Sequence, residues 1–262
     1  DLGAPVPGEP VVHAVADAAR EVVVGVTTSR LFTLDMASGK AQVVAELPGA
    51  ARLAVTAGGV VGPDGASHHG MWDLTIAGVV PGLHLAAPRD GQQVPMALRA
   101  AADIDDAPSI IRFPKGTVGD PIVARRQVGG VDVLVEPDDG DVDVLIVGIG
   151  SMVATALAVA DKLTAEGLRV RVIDPVWALP VPSALTGLAG TARRVAVVED
   201  GSVAGGIGSQ VAYAVRQAGL DVPVDIFGLP REFLDHGSRG QVLEASGLTA
   251  DAIVTSLRSR LA

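Results

Sequence analysis

After residue 142 the chain alternates short, wholly apolar runs with longer helix-forming ones, and this alternation constrains its fold more than any other feature. Asp143 to Gly148 reads as an apolar strand, Ser151 to Glu166 as a helix ending at Gly167, and Arg169 to Ile173 as a second strand. Arg194 to Val198, Gly206 to Ala218 and Val222 to Phe227 repeat the order strand, helix, strand. A strand with one wet face alternates apolar and polar residues, whereas a run such as Val144 to Ile149 has no polar face to offer water. Both its faces must be covered, which predicts an α/β fold with a mostly parallel sheet between helices.

Upstream the pattern is less uniform. From Val60 strands again alternate with helices: residues 90 to 103 read as a helix with Asp90 as N-cap, and Ile110 to Phe113 as a buried strand ended by Pro114 and Gly116. Residues 117 to 141, rich in Gly, Asp and Pro, read as a connector. Nearer the N-terminus, Val22 to Val26, Leu31 to Leu34 and Ala41 to Leu47 read as short strands of an antiparallel meander, with a turn over 36 to 40. Residues 31 to 40 resemble part of a propeller blade, and the proline-rich residues 1 to 10 an extended lead-in. A length of 262 residues, 48% of them hydrophobic, is enough for two cores.

Several function classes drop out. No apolar run approaches the roughly 20 residues that cross a bilayer, and no secretory signal opens the chain, so no membrane partner and a cytoplasmic location are expected. Without cysteine there is no disulfide, thiolate catalysis or cysteine-bound zinc. A net charge of −10, spread along the chain, argues against nucleic acid as a partner, because that binding draws on clustered Lys and Arg.

Acid, imidazole and glycine concentrate at residues 62 to 70, Gly-Pro-Asp-Gly-Ala-Ser-His-His-Gly. The turn residues expose Asp64 and His68 on one loop, as a polar site or as an Asx-type turn with a hydrogen-bonded histidine. The adjacent His69 points elsewhere, so no metal is assigned to the pair. Gly205 to Ser209 opens a helix after a strand; its N–H groups could cradle a phosphate, or its glycines could allow close helix packing. Gly148-Ile149-Gly150 with Asp174 has the outline of a dinucleotide site, but Val153 stands where that fingerprint needs glycine.

Four motifs in order resemble 1-deoxy-D-xylulose-5-phosphate synthase, of the transketolase-like family: the 62 to 70 loop, Ile111 to Gly116 (Ile-Arg-Phe-Pro-Lys-Gly), Val198-Glu199-Asp200 leading to Gly205 to Ser209, and Gly228 to Phe233. The resemblance covers the later half of such an enzyme. It implies a partial pyrimidine-binding α/β domain at 60–126, a linker at 127–141 and a transketolase C-terminal-like domain at 142–262, leaving 1–59 as a strand-rich segment of unassigned origin. It also implies a thiamine diphosphate- and Mg2+-dependent condensation of pyruvate with glyceraldehyde 3-phosphate. His68 would assist proton movements, Asp64 would orient the acceptor aldehyde, and Lys115 would grip its phosphate, though Lys115 is also readable as a solvated lysine and Arg112 as a strand-end ion-pair partner. The family's Gly-Asp-Gly cofactor loop and activating glutamate do not occur here, so no cofactor ligand is assigned and the chain is expected to be inactive alone. Its expected partner is a second copy or an upstream transketolase-like chain; a noncatalytic dimerisation module is the alternative. Ala57 stands where the family has an arginine that binds phosphate, a loss on the order of 1.5 to 3 kcal/mol.

Overall fold

The computed structural model describes residues 11–17, 22–27, 30–35, 41–46, 53–57, 65, 69–114, 119–138 and 141–261. The meander is present: β1 (Val11–Asp17), β2 (Val22–Thr27), β3 (Arg30–Asp35) and β4 (Ala41–Glu46) pair in sequence order, each antiparallel to the next. The lead-in 1–10 and the turn 36–40 lie outside the described residues.

Next come β5 (Leu53–Ala57), α1 (Asp73–Ala77), β6 (His84–Ala86), α2 (Gln93–Ala102) and β7 (Ser109–Phe113). β7 is flanked by β5 and β6, parallel to both. α2 starts three residues later than the sequence suggests and its N-cap is Gln92, not Asp90, although Asp90 Oδ1 accepts from the backbone N–H of Gln92 and Gln93 at 2.9 and 3.0 Å just ahead of the helix.

The connector is a point of difference. Within it, β8 (Arg126–Val128) and β9 (Val131–Val135) form a hairpin through Gly129 and Gly130, both with positive φ, and edge the downstream sheet. Val131 and Val133 are fully buried, so β9 is core rather than linker, with β8 at its outer edge. The downstream unit continues with β10 (Val144–Gly148), α3 (Val153–Ala165), β11 (Val170–Asp174), β12 (Trp177–Leu179), α4 (Ser183–Ala189), β13 (Val195–Ser202), α5 (Ile207–Gln217), β14 (Val224–Leu229), α6 (Arg239–Ala245) and α7 (Ala250–Leu261). Its six-stranded sheet runs β14-β13-β10-β11-β9-β8, the first four strands parallel and the hairpin antiparallel.

The unbroken apolar runs are explained by two cores on the two sides of this sheet. Val144 and Ile146 of β10 face α3 and α7, packing with Val159, Leu163, Ile253 and Leu257. Leu145 and Val147 face the other way, toward Leu185, Val211 and Val215. Each such fully buried side chain contributes about 1.5–3 kcal/mol. Leu74, Leu83 and Leu85 of the upstream unit belong to the second of these cores, so the two units share apolar interior.

A strand exchange strengthens the junction. β12 leaves the downstream sheet and pairs antiparallel with β6, extending the upstream sheet to β12-β6-β7-β5. The chain turns out of β11 through Val176, at φ 56°, a region a β-branched residue rarely enters. Two hydrogen bonds hold it there: Val176 N–H donates to Asp174 Oδ1 at 2.8 Å, and Val176 O accepts from Ala87 N–H at 2.8 Å.

Candidate functional site

Asp64, His68 and Lys115 lie outside the described residues. What is described is the frame around them. Gly65, next to Asp64, has φ 71°, and its carbonyl accepts from the N–H of the buried His69 at 3.2 Å. Met71, fully buried, gives its carbonyl to the N–H of Ser202 on β13 at 2.9 Å, which fixes the loop's exit to the downstream sheet.

Charged side chains complete that frame. Arg112, one residue from the end of β7 and three from Lys115, is buried, and the strand-end ion-pair reading of it holds. Its Nε donates to Asp73 Oδ2 at 3.0 Å, and its Nη1 to Asp200 Oδ1. Asp200 Oδ2 in turn accepts from Arg239 Nη2 at 2.6 Å, and the same nitrogen reaches Ser151 Oγ at 2.8 Å. Four elements, α1, β7, β13 and α6, thus meet at one cluster. Burial opposes the charge on Arg112, but Asp200 and Asp73 outweigh it and lift its pKa above the ordinary value. Burial would raise Asp200, yet Arg112 and Arg239 hold it below the usual carboxylate range. Asp73, with Arg112 as its one cation, is left raised by burial.

The neighbouring Glu199 is bound differently. Its Oε2 accepts from Ile207 N–H at 3.0 Å and its Oε1 from Gly208 N–H at 2.7 Å, the first amides of α5. A Cβ on Gly206 would fall 2.6 Å from Glu199 Oε2, so glycine there is what lets the carboxylate approach. Burial pushes Glu199 up to about 7, against the pull of these two N–H groups and of Arg112. Of the two sequence readings of Gly205 to Ser209, this favours close packing: the amides that could have cradled a phosphate already hold a carboxylate.

Asp174 is likewise committed. Its Oδ2 accepts from Arg89 Nη1 at 2.6 Å, and Arg89 also bonds Asp132 Oδ2 at 2.6 Å and the Ile122 carbonyl at 2.7 Å. Gly148 has no spare room either, since a Cβ there would lie 2.9 Å from Val153 Cα. The dinucleotide outline is thus filled by protein: its acid is a buried ion-pair partner of Arg89.

The described residues do not fit a diphosphate and its metal. Among them no group of three or more His, Asp or Glu could hold an ion, and the α5 amides are taken. No helix among them is long and apolar enough to cross a membrane.

The sequence alone does not single out Asp73, Glu199, Asp200 or Arg239 as individual groups. One signal was available: two adjacent acids, Glu199 and Asp200, close the apolar run Val195 to Val198 inside a strand with no wet face, and buried acids need donors or cations.

Two family models match in succession: the transketolase pyrimidine binding domain over residues 14–121 and the transketolase C-terminal domain over residues 133–253. The first begins at residue 14 and so takes in the strand-rich segment left unassigned above. The chain is 51% identical over 205 residues to 1-deoxy-D-xylulose-5-phosphate synthase 2 of Kitasatospora griseola, covering 77% of this chain and 32% of that protein. It is 52% identical over 198 residues to 1-deoxy-D-xylulose-5-phosphate synthase of Mycobacterium sp. (strain KMS), covering 75% and 31%. It therefore spans about a third of the length of these curated relatives. Among solved structures, a split gene transketolase described as an inactive beta4 tetramer superposes with a TM-score of 0.64 at 31% identity, covering 80% of this chain and 65% of that one. A transketolase from Campylobacter jejuni superposes at 0.62 with 19% identity, over 79% of this chain and 31% of that one, a likeness of fold. With two successive domain matches, half-identical relatives and the same architecture, the chain belongs to the transketolase family, of which it carries the pyrimidine-binding and C-terminal domains.

Proposed function

We propose that this chain is the acceptor-side part of a 1-deoxy-D-xylulose-5-phosphate synthase. The supporting observation is the 51–52% identity to proteins of that name over three quarters of the chain. In this reading the pyrimidine-binding and C-terminal domains serve as the two domains of the site, and Asp64, His68 and Lys115 act on the incoming aldehyde. Lys115, just past the end of β7, pairs with the phosphate of glyceraldehyde 3-phosphate as a compact cation. Asp64 accepts a hydrogen bond from the substrate and fixes its orientation. His68, an imidazole able to hold or release a proton near neutral pH, serves the carbonyl oxygen as it becomes a hydroxyl. Thiamine diphosphate and Mg2+ would be held by a diphosphate-binding part, on the same polypeptide or on a transketolase-like partner, in the cytoplasm. Pyruvate would react there.

Calorimetric titration with thiamine diphosphate and magnesium tests this reading, first on the chain alone and then with a transketolase-like diphosphate-binding subunit added. Binding is expected only in the mixture, with deoxyxylulose phosphate formed from pyruvate and glyceraldehyde 3-phosphate. Turnover by these 262 residues alone would overturn the reading that they form only the acceptor side, and a silent mixture would overturn the enzymatic reading. The silent result would favour a noncatalytic assembly module, for which the exposed apolar side chains Ile76, Val79, Val80 and Tyr213 speak.

A further inference from the structure

Glu199 is fully buried, and among the described residues no cation stands at ion-pair distance from it; its oxygens are hydrogen-bonded only by the N–H groups of Ile207 and Gly208. Three glycines sheathe it. A Cβ on Gly201 would lie 2.8 Å from Oε2, one on Gly206 2.6 Å from the same atom, and one on Gly208 3.1 Å from Oε1. Bare backbone thus lies against both oxygens, and outside water reaches them only if that backbone moves.

The same turn carries the upstream unit. A Cβ on Gly201 would also fall 2.7 Å from Leu74 Cδ1, and one on Gly205 2.8 Å from Thr75 Cγ2. Thr75 Oγ1 donates to Ala204 O at 3.1 Å, and Ser202 N–H donates to Met71 O at 2.9 Å. α1 and its lead-in are therefore docked on the turn that covers Glu199.

An ionised carboxylate held only by two amides is under-compensated in so dry a place. The charged side chains on the elements around it are Asp73 on α1, Arg112 on β7, Asp200 on β13 and Arg239 on α6, and both arginines are bound to Asp200. Arg216 of α5 and Asp225 of β14 sit at the ends away from Glu199, bound to Asp221 and to Arg194 and Arg260. Burial is the largest influence and lifts Glu199 to about 7; the two N–H groups and Arg112 pull it down, and Asp200 adds to the rise.

We propose that Glu199 is a proton-operated latch at the domain junction: while its carboxyl is neutral the glycine turn 201–206 stays closed under α1, and when it ionises the turn and the start of α5 open to let water reach the charge, loosening α1. The latch is shut below neutral pH and loosens above it. The Arg112 cluster, two arginines against two aspartates, holds the domains together in both states.

The test is hydrogen exchange of the full chain, read by mass spectrometry between pH 6 and 8 and corrected for the intrinsic pH dependence of exchange. Amides over 71–77 and 201–209 should exchange about tenfold faster at pH 8 than at pH 6, the rise in the ionised fraction of a group titrating near 7, while those of β10 hold constant. Glu199→Gln, neutral throughout, should remove that rise. Should this variant fail to fold, 13Cδ-labelled glutamate in the parent gives a second reading: one glutamate signal must titrate with the same midpoint as the exchange. Equal protection at both pH values, a rise that persists in Glu199→Gln, a loosening of β10 in step, or no glutamate signal titrating with the exchange would each overturn the latch.

Discussion

Glu199 and Asp200 are adjacent residues of one strand, both fully buried, and their carboxyl groups titrate in opposite directions. The Asp200 region is built from full charges: two guanidiniums on one carboxylate, with Asp73 sharing the first. The Glu199 region is built from backbone dipoles, two amides at the start of α5 among close-packed glycines. Desolvation of a buried carboxylate costs several kcal/mol. Two cations offset that penalty in full at Asp200, whereas two N–H groups offset it only in part at Glu199, leaving that group able to carry a proton near neutrality. The difference separates a permanent junction between domains from a proton-sensitive packing element behind it.

Breaking the charged region should have the largest effect. Asp200→Ala removes the carboxylate shared by Arg239 and by Arg112, whose side chain is 1% exposed, and leaves Arg112 with Asp73 as its carboxylate partner. Breaking a buried pair in this way costs about 3–5 kcal/mol, less whatever Asp73 still offsets, to be read by urea denaturation. Replacing both members together, Arg112→Met with Asp200→Leu, should cost less than Asp200→Ala alone, since the fully buried pair is removed as a unit and the charges that lose a partner, Asp73 and Arg239, are the more exposed ends of the cluster. If Asp200→Ala unfolds at the parent's urea midpoint, the junction is not held by this cluster.

Glu199→Gln sharpens the contrast through pH. The folded pKa of Glu199 is about 7, above its ordinary 4.5, so between these values the folded state holds a proton that the unfolded chain has released. The neutral carboxyl's contribution is complete below pH 4.5, declines as pH rises, and is gone above pH 7. Asp200 behaves inversely: lowered in the folded state, it contributes above its ordinary 3.8, and that contribution is lost as acid protonates it. The unfolding free energy of the parent, measured relative to Glu199→Gln, should therefore fall by about 3 kcal/mol from pH 4.5 to pH 7.5. A pH-independent difference would place the proton elsewhere.

The same contrast explains how much was legible in the sequence. β10 and β13 could be read because burial on both faces writes itself locally, as four apolar residues in succession. The hairpin at Arg126–Val135 was hidden by the glycines and acids around it; its burial comes from β11, some 40 residues on. β12 pairs in a sheet other than that of β11, a choice set by Ala86 and Leu85 and not by Trp177–Leu179. Arg112 and Asp200 stand 88 residues apart, and nothing near either one names the other. Loop motifs revealed the family, while the cross-chain cluster that frames the loop needed coordinates. α6 and α7 carry polar faces and gave no apolar run to notice.

The smallest effect tests whether geometry alone makes an ion pair matter. Arg258 holds Glu166 with both Nε, at 2.8 Å, and Nη2, a two-pronged grip on one carboxylate where Arg112 gives Asp200 Oδ1 a single side-chain bond, and it joins α7 to the end of α3. Both groups face solvent, where water and salt screen the attraction and ordering two long side chains offsets much of what remains. Glu166 is held below its ordinary pKa first by the hydrogen bond from Arg258, so its pH dependence has the sign of Asp200, but without the burial that gives Asp200 its leverage. Arg258→Ala should shift the thermal midpoint by less than can be resolved at physiological salt, and the difference from the parent should vanish entirely as salt is raised. A midpoint drop comparable to that of Asp200→Ala would mean that α7 is clamped by charge rather than by Ile253, Val254 and Leu257, and that burial is not what distinguishes the Asp200 cluster from an ordinary surface pair.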